Sequence, residues 1–510
     1  MSERSMLTES TKRFIRQLNR NLQKKAPYEI KINYEQDFEK LASTQFKASS
    51  FPTAASIKSL VDEDENFLVL YKQLYFRHLF VKKLSKGLQP HFASFQNFIE
   101  LFNILLGLTT EAPEFEIPAV WCWDMIDEFV YQFSTFHAYR NRADLSEEEK
   151  QMLEESPHEW SPVTVVRFLL SFADKGGVSH GDDSSEEKSS EGAPHKFFKT
   201  LGVFALIGML KVNCLMGDYT SAVNYIKNVD LTGRHESMYV WSAYASYHYH
   251  LSFAHLASRR YADAIRVGKK GLRHLHRNRG ARTYQDSNVV KMKEQMFGIL
   301  AIAASLVPQR LDDGMYNQVM DRYGQQVERM RNMDIDAYRE VFVAVCPKFI
   351  PMRMQADMKT NSEEGLQLQL AVFLDEVRAT RKVPEIYSYL KMCTTMNTER
   401  LASFLGVKEE ELTPLLLYVK HKTQSGSKYT AVSKSEKAND EKETAVLEGV
   451  QRLEMEKVST SGIQFTVSNN LVEVTEHKKS KLNADYFIRQ ILRYEDVIDI
   501  EKSKRQRNDN

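Results

Sequence analysis

The chain has 510 residues, enough for roughly three to four domain-sized units or for one extended solenoid with a terminal domain. Its 69 basic and 68 acidic residues leave a formal net charge of +1, so no global excess marks it as a coat for nucleic acid or membrane. Four widely spaced cysteines without a C-x-x-C pair argue against a disulfide framework and a zinc knuckle, and favour a reducing compartment.

The N-terminal segment predicts neither export nor membrane insertion. MSERSMLTESTKRFIRQ has charged residues where a signal peptide needs an apolar run, and Glu3 and Glu9 argue against a mitochondrial presequence. The best membrane candidate, VFALIGML from Val203, stops at Lys211 and is too short to span a bilayer. We therefore expect a soluble protein of the cytoplasm, with the nucleus as the alternative.

Apolar residues recur at steps of three and four through most of the first 380 positions, which predicts a mostly α-helical chain. We assign residues 1–60 to an N-terminal helical or extended region and residues 61–174 to an aromatic-rich helical unit. NFLVLYKQLYFRHLFVKKL and WCWDMIDEFVYQFSTF are so aromatic that their helices must be buried on wide faces, with Trp121 and Trp123 in the core and not in a ligand site. Between them a third helix is predicted to pack on both through Phe92, Phe95, Ile99, Phe102 and Leu106.

A change in composition follows this unit. Residues 175–194 are polar and acidic and lack periodicity, so we predict a flexible linker to a central unit, residues 195–385. There GDYTSA and RRYADA both place Tyr and Ala three apart, and Tyr219 and Tyr261 are 42 residues apart. That period is typical of repeats in which each unit is a helix pair, with Tyr and Ala at the tight crossing. The central unit is therefore predicted as a helical-repeat (TPR-like) solenoid.

Residues 386–478 have the pattern of a winged helix. Residues 386–392 predict a first helix, Asn397 is the predicted N-cap of a second helix, and Gly406 is its left-handed end. A third helix is expected after residue 407.

The later part of the winged helix predicts a long helix and a hairpin. Thr413 and Pro414 give the best start signal for the main body of the third helix, because proline suits the first helical position. Farther on, apolar and polar residues alternate on both sides of a two-residue turn, Asn469 and Asn470, which predicts the hairpin called the wing. Its apolar positions are Ile463, Phe465, Val467, Val472 and Val474.

Three segments complete the C-terminal part. Residues 423–446 are predicted as a disordered insertion in the winged helix. Residues 479–501 predict a terminal helix whose apolar seam suits bundling with helices of other chains or folding back onto its own winged helix. Residues 502–510 form a basic tail. The predicted fold is thus mostly α: a helical-repeat solenoid, a winged helix and a C-terminal helix.

A winged helix usually suggests nucleic-acid binding, because the N-terminal residues of its recognition helix enter the major groove. Here that end carries Glu409, Glu410 and Glu411, and three carboxylates would face the phosphates of any duplex. We therefore interpret the wing as protein-binding. The candidate partner-binding residues are those of the wing and the terminal helix: Phe465, Val467, Val472, Val474, Phe487, Ile491, Tyr494 and Ile498.

The sequence contains none of the common catalytic motifs, such as G-x-x-x-x-G-K-[ST], G-x-G-x-x-G, H-E-x-x-H or G-x-S-x-G. His274 and His276 form an H-x-H like that of the deubiquitinase-type metalloproteases, but Arg277 replaces the proline that follows there. Gln285 and Asn288 stand where that pattern needs serine and aspartate. We interpret the two histidines as solvated, and predict no catalytic residue, no metal ligand and no cofactor.

One local charge patch lies between residues 259 and 282, where nine basic residues accompany a single acid, Asp263. Its members are Arg259, Arg260, Arg266, Lys269, Lys270, Arg273, Arg277, Arg279 and Arg282. The excess predicts contact with RNA phosphates or with an acidic partner subunit, and the alternative is a solvated helix face.

The order of these units resembles that of the PCI-domain subunits shared by the proteasome lid, the signalosome and eukaryotic translation initiation factor three. Particular strings narrow the resemblance to one subunit type of the initiation factor, from residue 60 to residue 500, with W-x-W-D-x-I-D-E-F as the most telling of them. The strings are LYKQLYFRHLF from Leu70, WCWDMIDEFVYQF from Trp121, LMGDYTSAV from Leu215, RRYADAIRV from Arg259, KEQMFGILAIA from Lys293, CPKFI from Cys346, CTTMNTERLASFLG from Cys393 and DYFIRQI from Asp485.

The resemblance implies a non-catalytic scaffold subunit of a cytoplasmic complex that binds the small ribosomal subunit and supports assembly of the preinitiation complex. It also implies the K subunit of initiation factor three as the nearest partner, with the E subunit and other PCI or MPN subunits reached through the PCI domain. Membership of the proteasome lid or the signalosome, and direct RNA binding through the basic patch, are the alternatives. The linker near Asp182 and the insertion after Thr423 depart from the family pattern. No membrane or small-molecule partner is implied.

Overall fold

The computed structural model describes residues 8–85, 87–108, 117–142, 145–178, 193–226, 240–277, 287–306, 311–350, 364–426, 457–459, 463–468 and 470–476. Most of these residues are helical, which confirms the predicted fold class. The chain divides into two compact units, residues 1–380 (unit 1) and 381–510 (unit 2). This division lies close to the predicted start of the winged helix; the finer domain boundaries stay predictions.

All regular elements in the described part of unit 1 are helices. They are α1 (Glu9–Gln23), α2 (Pro27–Ile32), α3 (Glu39–Thr44), α4 (Ala54–Ile57), α5 (Glu65–Val81), α6 (Gln89–Leu106), α7 (Ala119–Arg140), α8 (Glu147–Glu155), α9 (Pro162–Lys175), α10 (Ala193–Met216), α11 (Tyr219–Ile226), α12 (Trp241–Ala257), α13 (Tyr261–Arg277), α14 (Ser287–Leu306), α15 (Asp313–Arg331), α16 (Ile335–Val345) and α17 (Glu364–Thr380). A π-helical turn, Asn33–Phe38, joins α2 to α3, and a 3-10 turn, Lys58–Leu60, follows α4. Neighbours along the chain pack on one another, as expected for a solenoid.

The aromatic helices α5, α6 and α7 pack together as predicted, and Trp121 and Trp123 are fully buried. The buried stripe of α6 is wider than the one we predicted: Phe98 and Leu105 belong to it, whereas the predicted Phe92, Ile99 and Leu106 are only half-buried. The reason is that α6 has partners on two sides. The Phe102 ring lies 4.9 Å from the Phe129 ring of α7 and 5.0 Å from the Phe172 ring of α9, measured between centroids.

The predicted linker does not separate two packed units. Helices α9 and α10, which flank residues 179–192, pack closely along each other. A Cβ atom on Gly176 would lie 2.6 Å from the Phe198 carbonyl oxygen and 3.2 Å from the Cα of Gly202, so only glycine permits this approach. Both helices therefore belong to unit 1, and most of the predicted linker itself lies outside the described residues.

The apolar stretch of α10 is longer than the predicted membrane candidate, which stopped at Lys211. Lys211 lies within the helix, and its Nζ donates a hydrogen bond to Asp127 Oδ1 of α7 at 2.6 Å. Within the described part of the chain, Phe197–Met216 is the one stretch long and apolar enough to cross a membrane. However, 83% of it is buried inside the protein, against α7, α9, α11 and α12. It is the central core helix of unit 1.

The predicted repeat corresponds to two turns with the same backbone geometry, one after α10 and one after α12. The equivalent positions, 42 residues apart, are Gly217 and Arg259, Tyr219 and Tyr261, and Ala222 and Ala264. In each turn the first residue has positive φ, the tyrosine opens the next helix and the alanine is fully buried. Each is a Schellman-type end, which satisfies the last carbonyl groups of the preceding helix.

Unit 2 contains α18 (Val383–Met392), β1 (Thr395–Asn397), α19 (Thr398–Leu405), α20 (Glu409–Thr423), β2 (Gln424–Gly426), β3 (Lys457–Ser459), β4 (Ile463–Ser468) and β5 (Leu471–Glu476). The antiparallel sheet has the order β1-β5-β4, and β2 pairs separately with β3. Helix, strand, two helices and a hairpin is the element order of a winged helix. The pairing of Ser468 with Leu471 leaves the predicted two-residue turn, in which Asn470 has a φ of 59°.

Most local predictions in unit 2 are confirmed. Asn397 Oδ1 accepts a hydrogen bond from the backbone N–H of Glu399 at 3.3 Å, and Gly406 ends α19 with a φ of 60°. The third helix follows residue 407 as predicted, since α20 begins at Glu409. The start signal for its main body at Thr413 and Pro414 is wrong, because Pro414 lies inside the helix. Buried leucine and valine side chains at steps of four and three, together with the acidic first turn, favour helix from residue 409 onward.

Three short strands of unit 2, β1, β2 and β3, were not predicted. Strand β1 forms because its residues pair with β5 on the side opposite to β4, with Met396 beside Val472. Strand β2, residues 424–426, lies at the start of the predicted insertion, so these three residues are paired with β3 and not disordered. Residues 427–446 of that insertion lie outside the described part of the chain.

Candidate interaction surfaces

The wing is built on a small apolar core that α18, α19 and α20 share with β4 and β5. Two of its predicted partner-binding residues belong to that core: Phe465 is 5% exposed and Val472 is 0% exposed. They cannot offer a contact surface, and our assignment of them to a partner contact is corrected. The reason is topology: β5 is the central strand of the sheet, so its inward side chains lie directly over the helices.

The exposed part of the wing lies next to its turn. Val467 is 43% exposed and Leu471 is 37% exposed, and we call these two residues the wing tip. Val474, the remaining candidate of the hairpin, is half-buried. Sequence reasoning missed Leu471 because it breaks the alternation, and an apolar residue directly after a hairpin turn is the signal that could have revealed it. The candidates Phe487, Ile491, Tyr494 and Ile498 lie outside the described residues.

Further apolar side chains of unit 2 are exposed on its helices: Met392, Phe404 and Leu417. The Phe404 ring stacks on the Tyr389 ring at 5.7 Å between centroids, with an angle of 13° between the planes. These residues were not predicted, because in the sequence they look like parts of the core pattern. Unit 2 thus presents apolar side chains beyond the wing tip.

The N-terminal end of α20 is acidic, as the sequence indicated. Glu409, Glu410 and Glu411 form its first turn and are exposed. Glu409 Oε1 accepts a hydrogen bond from Thr398 Oγ1 of α19 at 3.1 Å. The carboxylates stabilise the helix terminus through the macrodipole and would repel phosphates at the surface that a recognition helix presents to a duplex.

The basic patch around α13 is largely compensated by carboxylates. Within the patch itself, Asp263 accepts hydrogen bonds from Arg260 and Arg266, at 2.5 and 2.8 Å. Asp263 is buried and its pair with Arg260 is largely shielded from solvent, whereas the Arg266 side chain is exposed. The sequence contained this acid, but its spacing alone did not show that it binds two arginines at once.

Two further carboxylates are distant from the patch in the sequence but lie beside it in the folded chain. Arg259 Nε lies 3.0 Å from Oε2 of the buried Glu376 on α17. Asp312, just before α15, accepts hydrogen bonds from Lys269, at 3.0 Å, and from Arg273, and the bond from Lys269 is the main reason that its pKa lies below the ordinary value.

The remaining members of the patch are less constrained. Lys270 is exposed and forms no ion pair within the described residues. The Arg277 side chain, Arg279 and Arg282 lie outside the described part. Among the described residues of the patch, three carboxylates therefore offset half of the six basic side chains.

The H-x-H histidines are not simply solvated, as we had expected. The His274 ring lies 4.5 Å from the Tyr244 ring and 5.3 Å from the Trp241 ring of α12, between centroids, so it packs between α12 and α13. His276 is half-buried. Among the described residues no group of three or more His, Cys, Asp or Glu side chains could hold a metal ion.

Comparisons with known proteins give a consistent family. Residues 90–494 match the family model described as "RNA polymerase I-associated factor PAF67". The chain is 35% identical to eukaryotic translation initiation factor 3 subunit L of Danio rerio over 480 residues, 91% of this chain and 80% of the relative. It is 31% identical to the protein of that name from Nematostella vectensis over 96% of this chain and 92% of the relative. For the Homo sapiens protein the identity is 34%, over 91% and 81%.

Proposed function

Because the chain belongs to the family of eukaryotic translation initiation factor 3 subunit L, we propose that it is a non-catalytic subunit of that factor in the cytoplasm. In this role it supports assembly of the preinitiation complex on the small ribosomal subunit through contacts with other proteins. The observation that carries the proposal is the length of the similarity, which extends over both units and covers 96% of the chain in the Nematostella vectensis comparison.

The winged helix supports a protein-binding role. Its wing tip and helices expose apolar side chains, whereas the end of α20 that would enter a nucleic-acid groove is acidic. Apolar side chains at the centre of an otherwise polar surface are typical of protein interfaces. We therefore assign the wing tip to a contact with a neighbouring PCI protein of the factor, with its K and E subunits as the first candidates. The terminal helix, residues 479–501, bundles with helices of the same neighbours.

Affinity purification from native cells followed by mass spectrometry tests the proposal. We expect the other subunits of initiation factor 3, with K and E among them, and cosedimentation with the small ribosomal subunit. Recovery with subunits of the proteasome lid or the signalosome, or recovery of the chain by itself, would contradict it.

A pair of matched variants tests the wing tip. Val467→Asp with Leu471→Asp places two charges in the proposed contact, and we expect recovery of the neighbouring subunits to fall at least about tenfold, because burying an unpaired charge is costly. The control is Val163→Asp, an apolar and more exposed position on α9. Unchanged recovery with the double variant would exclude the wing tip as a contact. Truncation after Leu482 measures the contribution of the terminal helix in the same assay.

The alternative function, RNA binding through the patch around α13, has less support. Five of its nine basic residues share three carboxylates in ion pairs within the protein, which reduces the charge that can neutralise phosphates. RNA binding through this patch stays a prediction. Measurement of RNA affinity across a salt series tests it.

A further inference from the structure

Helix α1 has one face packed against unit 1 and an opposite face of basic side chains. Its buried residues include Phe14, Ile15, Leu18 and Leu22. On the exposed side four basic residues follow one another at steps of three, four and four, which places them along one line of the helix surface. These residues, Arg13, Arg16, Arg20 and Lys24, are the α1 stripe, and they span about 16 Å along the helix.

The α1 stripe differs from the patch around α13 in its lack of carboxylate partners. Within the described residues none of its four members forms an ion pair. The one acid of the helix, Glu9, is paired with Lys12, whose Nζ lies 2.8 Å from Glu9 Oε1. Among the described residues, the stripe therefore presents four exposed positive charges that form no ion pair.

An exposed aromatic residue follows the stripe. After α1 ends, Lys25 adopts a left-handed conformation with a φ of 50°, and α2 begins at Pro27. Tyr28, four residues after the last basic residue of the stripe, is 71% exposed. Cationic side chains next to an exposed aromatic ring are the two components of single-strand binding sites, where the cations bind phosphates and the ring stacks on a base.

Two other partners fit these observations less well. A membrane surface would need the apolar face of α1, which is already packed inside unit 1. A protein interface usually has an apolar centre, but the exposed residues between the basic ones are polar: Gln17 and Gln23. Interfaces with nucleic acid are more polar and more positive than protein interfaces, and guanidinium groups bind phosphates in a bidentate manner.

We propose that the α1 stripe and Tyr28 form a site for single-stranded RNA, which goes beyond the proposed scaffold function. The three arginines and Lys24 bind successive phosphates, and the Tyr28 ring stacks on a base near the end of that segment. Because the contacts are to the backbone and to one ring face, binding depends weakly on sequence and strongly on salt.

The test uses the purified full-length chain and a fluorescent oligouridine across a salt series. With four phosphate contacts, log K should fall against log salt with a slope of about −3. The triple variant Arg13→Glu, Arg16→Glu, Arg20→Glu should lose at least about tenfold in affinity and most of this slope. A milder triple variant with Gln at the same positions should give the same direction of change. The Gln variant controls for an effect of the reversed charges on folding. Thermal unfolding of both variants measures that effect directly.

A matched control has the same change in net charge elsewhere. Lys291→Glu, Lys348→Glu and Arg400→Glu alter three exposed positions that form no ion pair within the described residues. This control should bind within about twofold of the unmodified chain. Equal losses in the control and the stripe variant would overturn the proposal, because net charge alone would then explain the binding.

Substitution of Tyr28 tests the proposed stacking contact without changing the charge of the chain. Tyr28→Ala should weaken binding at least about fivefold without changing the salt slope, whereas Tyr28→Phe should preserve affinity. Competition with duplex RNA and with polyglutamate distinguishes the ligand classes. If either competitor displaces the oligouridine as well as unlabelled oligouridine does, the assignment to single-stranded RNA is wrong. The stripe variant should still co-purify with the subunits of the complex, so failure here and failure of the scaffold proposal are separate results.

Discussion

Helices α13 and α1 are both strongly basic, but their charged side chains have opposite environments. Around α13, carboxylates from its own first turn, from α17 and from the residue before α15 bind five cations. On α1 the four cations of the stripe extend into solvent without an acidic partner among the described residues. Part of the denser cluster is therefore offset by carboxylates, two of them distant in the sequence, and counting charges along the chain does not locate a binding site.

The difference follows from the positions of the two helices in unit 1. Helix α13 packs on α12 on one side and on α14 on the other, so acidic residues of several elements lie within reach of its cations. Helix α1 has a single packed face, and its opposite face has no neighbouring element among the described residues to supply a carboxylate. We expect the cations of α13 to matter for stability and those of α1 to matter for binding.

The largest effect is expected at Asp263. Asp263→Ala removes the buried carboxylate that binds Arg260 and Arg266, and should lower the free energy of unfolding by about 3 kcal/mol, because the half-buried Arg260 then loses the carboxylate that it binds. Chemical denaturation measures it. The control is Asp336→Ala, which removes an exposed ion pair with Arg339 and should change stability by less than about 0.5 kcal/mol. Equal effects would show that α13 does not depend on its internal pairs.

Lowering the pH should reduce the free energy of unfolding through His248, which packs against α13. This side chain is buried against Gly271 of α13, and burial, with a smaller contribution from Lys270, lowers its pKa from 6.5 to about 3. The folded state then binds fewer protons than the unfolded state, so stability present above pH 6.5 is lost as the pH falls toward 3. The loss is about 1.4 kcal/mol per pH unit.

Replacing His248 with Gln tests this dependence. We expect the free energy of unfolding to fall between about pH 7.5 and about pH 5.5 in the unmodified chain. In the variant this fall should be smaller by about 1 kcal/mol. Substitution of the exposed His158 should leave the difference unchanged. An identical pH dependence in the His248→Gln variant would show that His248 is protonated without cost in the folded chain.

A smaller effect is expected at Asp312. Asp312→Asn releases Lys269 and Arg273 and should reduce stability by less than about 1 kcal/mol, and less still at high salt, because the pairs are exposed. The pKa of Asp312 is lowered, so its contribution is present above pH 3.8 and lost as the pH falls through its folded-state value. The released cations should make α13 more like α1, with a measurable gain of RNA affinity at low salt. No gain would mean that charge pairing is not what separates the two helices.

The smallest change in stability is expected on the α1 stripe. Arg16→Gln should shift the free energy of unfolding by less than about 0.5 kcal/mol, because the side chain has no ion-pair partner to lose among the described residues. Phe14→Ala, on the buried face of the same helix, should cost about 3 kcal/mol in the same measurement. A large effect of Arg16→Gln would assign the stripe to folding and remove the reason to regard it as a binding surface.

Local chemistry could be predicted from the sequence. Asn397 caps the start of α19 through a hydrogen bond, and Gly406 ends that helix with a left-handed φ. Both features depend on those residues alone. The paired asparagines specify the hairpin turn. The 42-residue repeat was visible because each turn needs a positive φ and a buried alanine at the same spacing. The main body of α20 was predicted to start too late, at Thr413 and Pro414, because the proline signal is weaker than the burial of the helix against its neighbours.

The sequence by itself determined the helical class, the winged helix and the family, since periodicity, caps and turns are short-range properties. Only the tertiary structure decided which charges are paired, which wing residues are buried and that α9 and α10 pack across a predicted linker. Those outcomes depend on residues far apart in the chain, such as Asp312 beside Lys269 or Gly202 beside Gly176. Ion pairing and burial require proximity in space, and proximity between distant residues is set by packing and not by local sequence.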